Sequence, residues 1–145
     1  VTQKYLGSLH LNSHDDLPPE ITESYVGIYG GKIAKRLLEE FPDGQIAFQV
    51  PVETPEEIVV VDVAWVSNAR MKTLRTRPTW SGAPDIAVCV VSKNRSEAEA
   101  NRVISLLMRA GAIETWLVMP DGRILRFLIE SRGFMGSSPM NHALE

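Results

Sequence analysis

The segment Ser81–Arg123, SGAPDIAVCVVSKNRSEAEANRVISLLMRAGAIETWLVMPDGR, constrains the fold most, because hydrophobic period, capping and turn chemistry agree along its length. Ile86–Val91 is a short apolar run rich in β-branched residues, opened by Pro84-Asp85 and closed by polar residues. That is the pattern of a strand buried on both faces in the middle of a sheet. Ser96 followed by Glu99 has capping-box spacing, in which the hydroxyl takes an orphan backbone N–H and the carboxylate reaches back, so a helix starts there. Ala100, Val103, Ile104 and Leu107 recur at helical spacing, with Asn101, Arg102, Ser105 and Arg109 mostly off that stripe. Gly111 supplies the left-handed residue that commonly ends a helix. Glu114–Met119 then reads as a strand, and Pro120-Asp121-Gly122 as a turn into a hairpin partner over Arg123–Ile129. A strand, crossover helix and strand in one sheet run parallel with a right-handed connection, which makes the core an α/β layer.

Upstream, Gly31–Phe41 places Ile33, Ala34, Leu37, Leu38 and Phe41 on one stripe, predicting an amphipathic helix on the sheet, ended by Pro42-Asp43-Gly44. Gly30-Gly31 before it lacks both phosphate-loop spacings and reads as a flexible helix entry. Gln45–Val52 and Ile58–Val66, separated by Glu53-Thr54-Pro55-Glu56-Glu57, predict a hairpin. The second strand, IVVVDVAWV, is apolar except for Asp62. Strict alternation puts Val60, Asp62, Ala64 and Val66 on one face and Val59, Val61, Val63 and Trp65 on the other. A carboxylate there must be paired, hydrogen-bonded, protonated or metal-bound, since burying it bare costs several kcal/mol, so Asp62 is either a ligand or an anchor for backbone or an arginine.

At 145 residues the chain is read as one domain, and 44% hydrophobic with 23% charged residues is the balance of a globular protein rather than a disordered one. A formal charge of -3 argues against a wholesale nucleic-acid coat but leaves room for a local basic patch. Arg70, Lys72, Arg75 and Arg77 form such a cluster with no acid among them, either a solvated connection or a phosphate-contacting loop with Trp80 available for stacking. A single cysteine, Cys89, excludes an internal disulfide, and with no export signal or apolar run near the roughly 20 residues of a membrane helix, the expectation is a cytoplasmic protein without a membrane partner. In the middle of IAVCVV, Cys89 reads as an inert buried residue rather than a nucleophile. His10, His14 and His142 lack a metal-site pattern and read as surface histidines. The expected organisation is a segment over 1–29 whose pattern is too weak to assign, a core over 30–130, and a tail over 131–145, its last two residues vector-derived.

VVVDVAWVSNAR (Val59–Arg70), APDIAVCVVSKN (Ala83–Asn94) and RAGAIETWLVMPDGR (Arg109–Arg123) together resemble the Uma family of proposed restriction endonucleases, of the PD-(D/E)XK nuclease fold. GGKIAKRLL (Gly30–Leu38) looks like the family's first core helix, and the likeness covers roughly residues 30–128. It implies a restriction-endonuclease-like mixed β-sheet flanked by helices, cleaving DNA with two acids that hold Mg²⁺ and a lysine that assists a water. By position the resemblance makes Asp62 the catalytic and metal-binding aspartate, while the family's glutamate falls on Cys89 and its lysine on Val103. Asp85 is retained at a strand entrance, where it looks structural, and Lys93 is a relocated candidate for the lysine. A thiol is a poor Mg²⁺ ligand and Val103 orients no water, so the expectation is a weakened or inactive endonuclease, with Mg²⁺ as cofactor only if active. The alternative is a non-catalytic module on a nuclease scaffold, binding nucleic acid through the basic loop or forming a homodimer. A second acid such as Glu53 or Glu39 beside Asp62 would favour the enzyme, and apolar closure over Cys89 the module.

Overall fold

The computed structural model describes residues 3–10 and 23–129. The element order is β1 (Gln3–His10), α1 (Glu23–Glu40), β2 (Gly44–Glu53), β3 (Ile58–Ser67), α2 (Asn68–Met71), β4 (Ile86–Val90), α3 (Glu97–Arg109), β5 (Glu114–Val118) and β6 (Arg123–Ile129). The six strands form one mixed sheet in the order β1-β6-β5-β4-β3-β2. β4 and β5 are parallel and joined by α3, and every other neighbouring pair is antiparallel. The α/β expectation therefore holds, with the apolar β4 inside the sheet where its composition placed it.

Two cores sandwich the sheet. On one face, Ala100, Val103, Ile104 and Leu107 of α3 pack on Ala87 and Cys89 of β4 and Leu117 of β5. On the other, Tyr29, Ile33, Ala34 and Leu37 of α1 pack on Ile86, Val88 and Val90 of β4 and on Trp116. Ser96 caps α3 by accepting the Glu99 N–H at 3.1 Å, but the Glu99 carboxylate takes Arg102 instead of reaching back, so half the expected capping box forms. Gly111 at φ 113° ends the helix and Gly122 at φ 88° closes the β5–β6 turn, both in the region that favours glycine.

Two expectations need correction. α1 begins at Glu23, eight residues before the expected start, because Gly27, Gly30 and Gly31 dilute the hydrophobic period over turns that are helical all the same. Gly30 is a packing residue rather than a flexible entry: a Cβ there would sit 3.2 Å from Val63 Cγ2. The second correction concerns β3. Val59 and Val61 share a core with Ala64 and Val66, while Val63 and Trp65 belong to the other face. Strict alternation cannot do this, so the side-chain phase slips at Asp62. β2 slips opposite it: Ala47 packs against the α3-side core with Val50 and Val52, whereas Ile46 packs on the α1 side. Between them Gln49 has φ 52°, a left-handed conformation that re-aims the strand without shifting the β2–β3 register.

Candidate functional site

The slip turns Asp62 out of the alternating pattern. It lines an open cavity of about 580 Å³, bounded by Gly27 of α1, Gln49 and Val60 of the hairpin, and Ser92, Asn94 and Arg95 after β4. Asp62 itself is only 8% exposed, so its oxygens have to be satisfied by the protein. The β3–β4 ladder ends at Val63 and Val88, and one residue beyond it Asp62 Oδ2 accepts the Val90 N–H at 2.7 Å. Gln49 Nε2 donates to Oδ1 at 3.2 Å, and Arg95 Nη1 donates to Oδ2 at 3.2 Å. Arg95 Nη2 reaches the Val60 carbonyl at 3.0 Å, which fixes the guanidinium against β3. Arg95 was not singled out from the sequence, since a lone arginine before a helix cap carries no local signal.

Mg²⁺ keeps several of its waters and is held by one or two carboxylates whose oxygens are free to face it. What surrounds Asp62 is an amide N–H, a carboxamide and a guanidinium, all hydrogen-bond donors. Among the described residues no group of three or more His, Cys, Asp or Glu side chains could hold a metal ion. Glu53 lies at the far end of β2, accepting Arg75 Nη2 at 2.6 Å and Thr79 Oγ1 at 2.7 Å on Oε2, and the hydroxyl first and the arginine second hold its carboxyl below the usual range. Glu39 is exposed on α1 beside Lys35, at 4.0 Å. Neither acid reaches the cavity, and the described residues around Asp62 do not fit the ion.

Cys89, the other position implied by the resemblance, is fully buried in the α3-side core. Burial pushes its thiol up to about 12, and nearby Asp62 adds to the rise while Arg95 opposes it. At neutral pH it is neither thiolate nor ligand. Val103 is 3% exposed in the same core, and Lys93 is exposed on the loop after β4. Asp85 accepts the Ser67 N–H at 2.5 Å, an anchor between strand ends, in keeping with a structural role.

The basic cluster is divided. Arg70 Nε donates to the Ala83 carbonyl at 2.8 Å and Arg75 pairs with Glu53, which leaves Lys72 and Arg77 exposed. Trp80 is 7% exposed in the core and bridges Val52 through its backbone, so the expected stacking ring is instead a wall of the hydrophobic core. Two further buried charges escaped the sequence reading. Glu114 is fully buried with Oε2 accepting Trp116 Nε1 at 2.5 Å, and Arg126 is 2% exposed on the neighbouring strand. The His10 side chain, His14, His142 and the tail over 131–145 lie outside the described residues.

The chain is similar in fold to a solved structure of a "putative nuclease belonging to DUF820" from Anabaena variabilis ATCC 29413. The TM-score is 0.56 at 13% identity, covering 80% of this chain and 68% of that one. The two chains share a fold. At that identity the likeness concerns the fold and not the residues of a site. No protein-family model and no curated protein matches the chain. Among the described residues no helix is long and apolar enough to cross a membrane.

Proposed function

We propose that the protein is a nucleic-acid-binding module built on a nuclease-like scaffold, one that does not cleave DNA through Mg²⁺. The observation that carries this reading is the ion pair of Asp62 with Arg95: the carboxylate best placed to hold a cation is already neutralised by the protein's own guanidinium. A divalent ion would have to displace Arg95 and would then meet a single carboxylate, because among the described residues no second acid lines the cavity. The fold likeness and the exposed Lys72 and Arg77 support nucleic acid as the partner.

The test combines isothermal titration of Mg²⁺ and Mn²⁺ with plasmid nicking, on wild type and Asp62→Ala, together with binding of labelled duplex DNA. The expected result is no Asp62-dependent heat of metal binding, no nicking, and salt-sensitive DNA binding. Metal-dependent nicking that disappears in Asp62→Ala would establish an active nuclease instead.

A further inference from the structure

α3 carries a row of arginines that the hydrophobic pattern does not explain. Arg95 stands just before the cap, and Arg102 and Arg109 follow at intervals of seven residues. Seven helical residues advance about 10 Å and return to nearly the same face, so Arg102 and Arg109 point the same way two turns apart. Each member of the row meets an acid of the β2–β3 hairpin. Arg95 pairs with Asp62, Arg102 with Glu57, and Arg109 with Glu56 at 2.6 Å. Glu53 at the head of the same turn takes Arg75, from the loop after α2, at 2.6 Å. Arg102 also holds Glu99 on its own helix, at 2.7 Å. The acidic turn thus lies across arginines from two separate elements.

The inner and outer pairs differ. Arg95 and Asp62 are 19% and 10% exposed, whereas side chains of the Arg75, Arg102 and Arg109 pairs are between 39% and 58% exposed. Exposed ion pairs are individually weak and screened by salt, so a denser array of negative charge can displace them. The turn does not need these pairs to keep its shape. Thr54 Oγ1 accepts the Glu57 N–H at 3.1 Å, and the Thr54 N–H donates to the Glu57 carbonyl at 3.0 Å.

We propose that Arg75, Arg102 and Arg109 form a binding surface for the phosphate backbone of a nucleic acid, which the chain's own acidic turn Glu53–Glu57 covers by charge mimicry. The turn supplies three carboxylates where the ligand would supply phosphates. Arginine is suited to either, because its planar fork binds carboxylate and phosphate oxygens alike. Binding therefore competes with the hairpin. The inference rests on the nucleic-acid-binding part of the proposed function and adds where that binding occurs and what restrains it.

The experiment is fluorescence anisotropy of a labelled DNA duplex of about 20 base pairs at low salt, where phosphate contacts are strongest. The full chain is compared as wild type, Glu56→Gln/Glu57→Gln, and that variant carrying Arg102→Gln/Arg109→Gln as well. Circular dichroism melting confirms that each is folded. Uncovering the arginines is expected to tighten binding about tenfold or more and steepen its salt dependence, with both gains lost when the two arginines are replaced. No gain in Glu56→Gln/Glu57→Gln, or a gain that survives loss of the arginines, overturns the inference. If the wild type binds and Lys72→Gln/Arg77→Gln abolishes binding without any gain from the turn variant, the inference fails while the proposed function stands. If neither wild type nor the turn variant binds duplex, both fail.

Discussion

Asp62 shows how little a residue's identity says about its job. In the sequence it stands out because seven of its eight neighbours in Ile58–Val66 are branched or otherwise aliphatic and the eighth is Trp65, and chemistry demands a partner for it. Which partner is a matter of three-dimensional placement: Arg95 lies 33 residues away and bears no motif. Removing it should leave a nearly buried carboxylate with neutral donors only. Arg95→Ala is therefore expected to lower stability by ~2–4 kcal/mol, and Asp62→Ala/Arg95→Ala by less than the sum of the single changes. Urea unfolding followed by circular dichroism measures both, and an Arg95→Ala loss under about 0.5 kcal/mol would mean the pair carries no structural weight. Glu114 teaches the same lesson from the opposite side. It is the acid of the segment ETWLV most easily taken for a polar strand end, yet it is fully buried against the Trp116 indole N–H.

At the scale of elements, α3, β4 and β5 were legible almost residue by residue, because capping serine, hydrophobic stripe and terminal glycine are local signals. The first turns of α1 were not, since three glycines within five positions hide a helix that the sheet stabilises through close approach at Gly30. The slip in β2 and β3 was equally hidden: alternation is read one strand at a time, whereas the slip exists only because Gln49 and Asp62 face each other in the hairpin. Two carboxylates beside arginines, Glu53 at the head of the hairpin turn and Glu99 on α3, make a prediction about acid. Thr79 holds the Glu53 carboxyl and Arg102 the Glu99 carboxyl below their ordinary values, with Arg75 and Arg95 adding smaller pulls. A folded-state pKa below the unfolded one contributes stability that is present above the unfolded value of 4.5 and is lost as pH falls through the folded one. The melting temperature should therefore fall on acidification from about pH 5 downward, and Glu53→Gln/Glu99→Gln should flatten that slope. An unchanged slope in the double variant would assign the acid sensitivity to other groups.

For the molecule as a whole, the central position of β4 turns Cys89 into a reporter of global opening. Its thiol, pushed up to about 12, lies between α3 and the sheet, so only unfolding of that layer exposes it. Labelling by an aromatic disulfide reagent at pH 8 should be negligible in buffer and should follow the main urea transition. Rapid labelling of the folded protein would show that the α3 layer opens on its own. The sequence by itself determined the α/β class, the parallel β4–α3–β5 unit, both hairpins and the burial of Cys89, because each follows from hydrophobic period, turn chemistry or composition within a few tens of residues. Only the tertiary structure decided that Trp80 is core, that Asp62 pairs with Arg95, and that the arginines of α3 lie under an acidic turn. Those outcomes depend on which distant charges and surfaces the packed sheet brings within a few ångströms, and Coulomb attraction and desolvation act on that distance, not on separation along the chain.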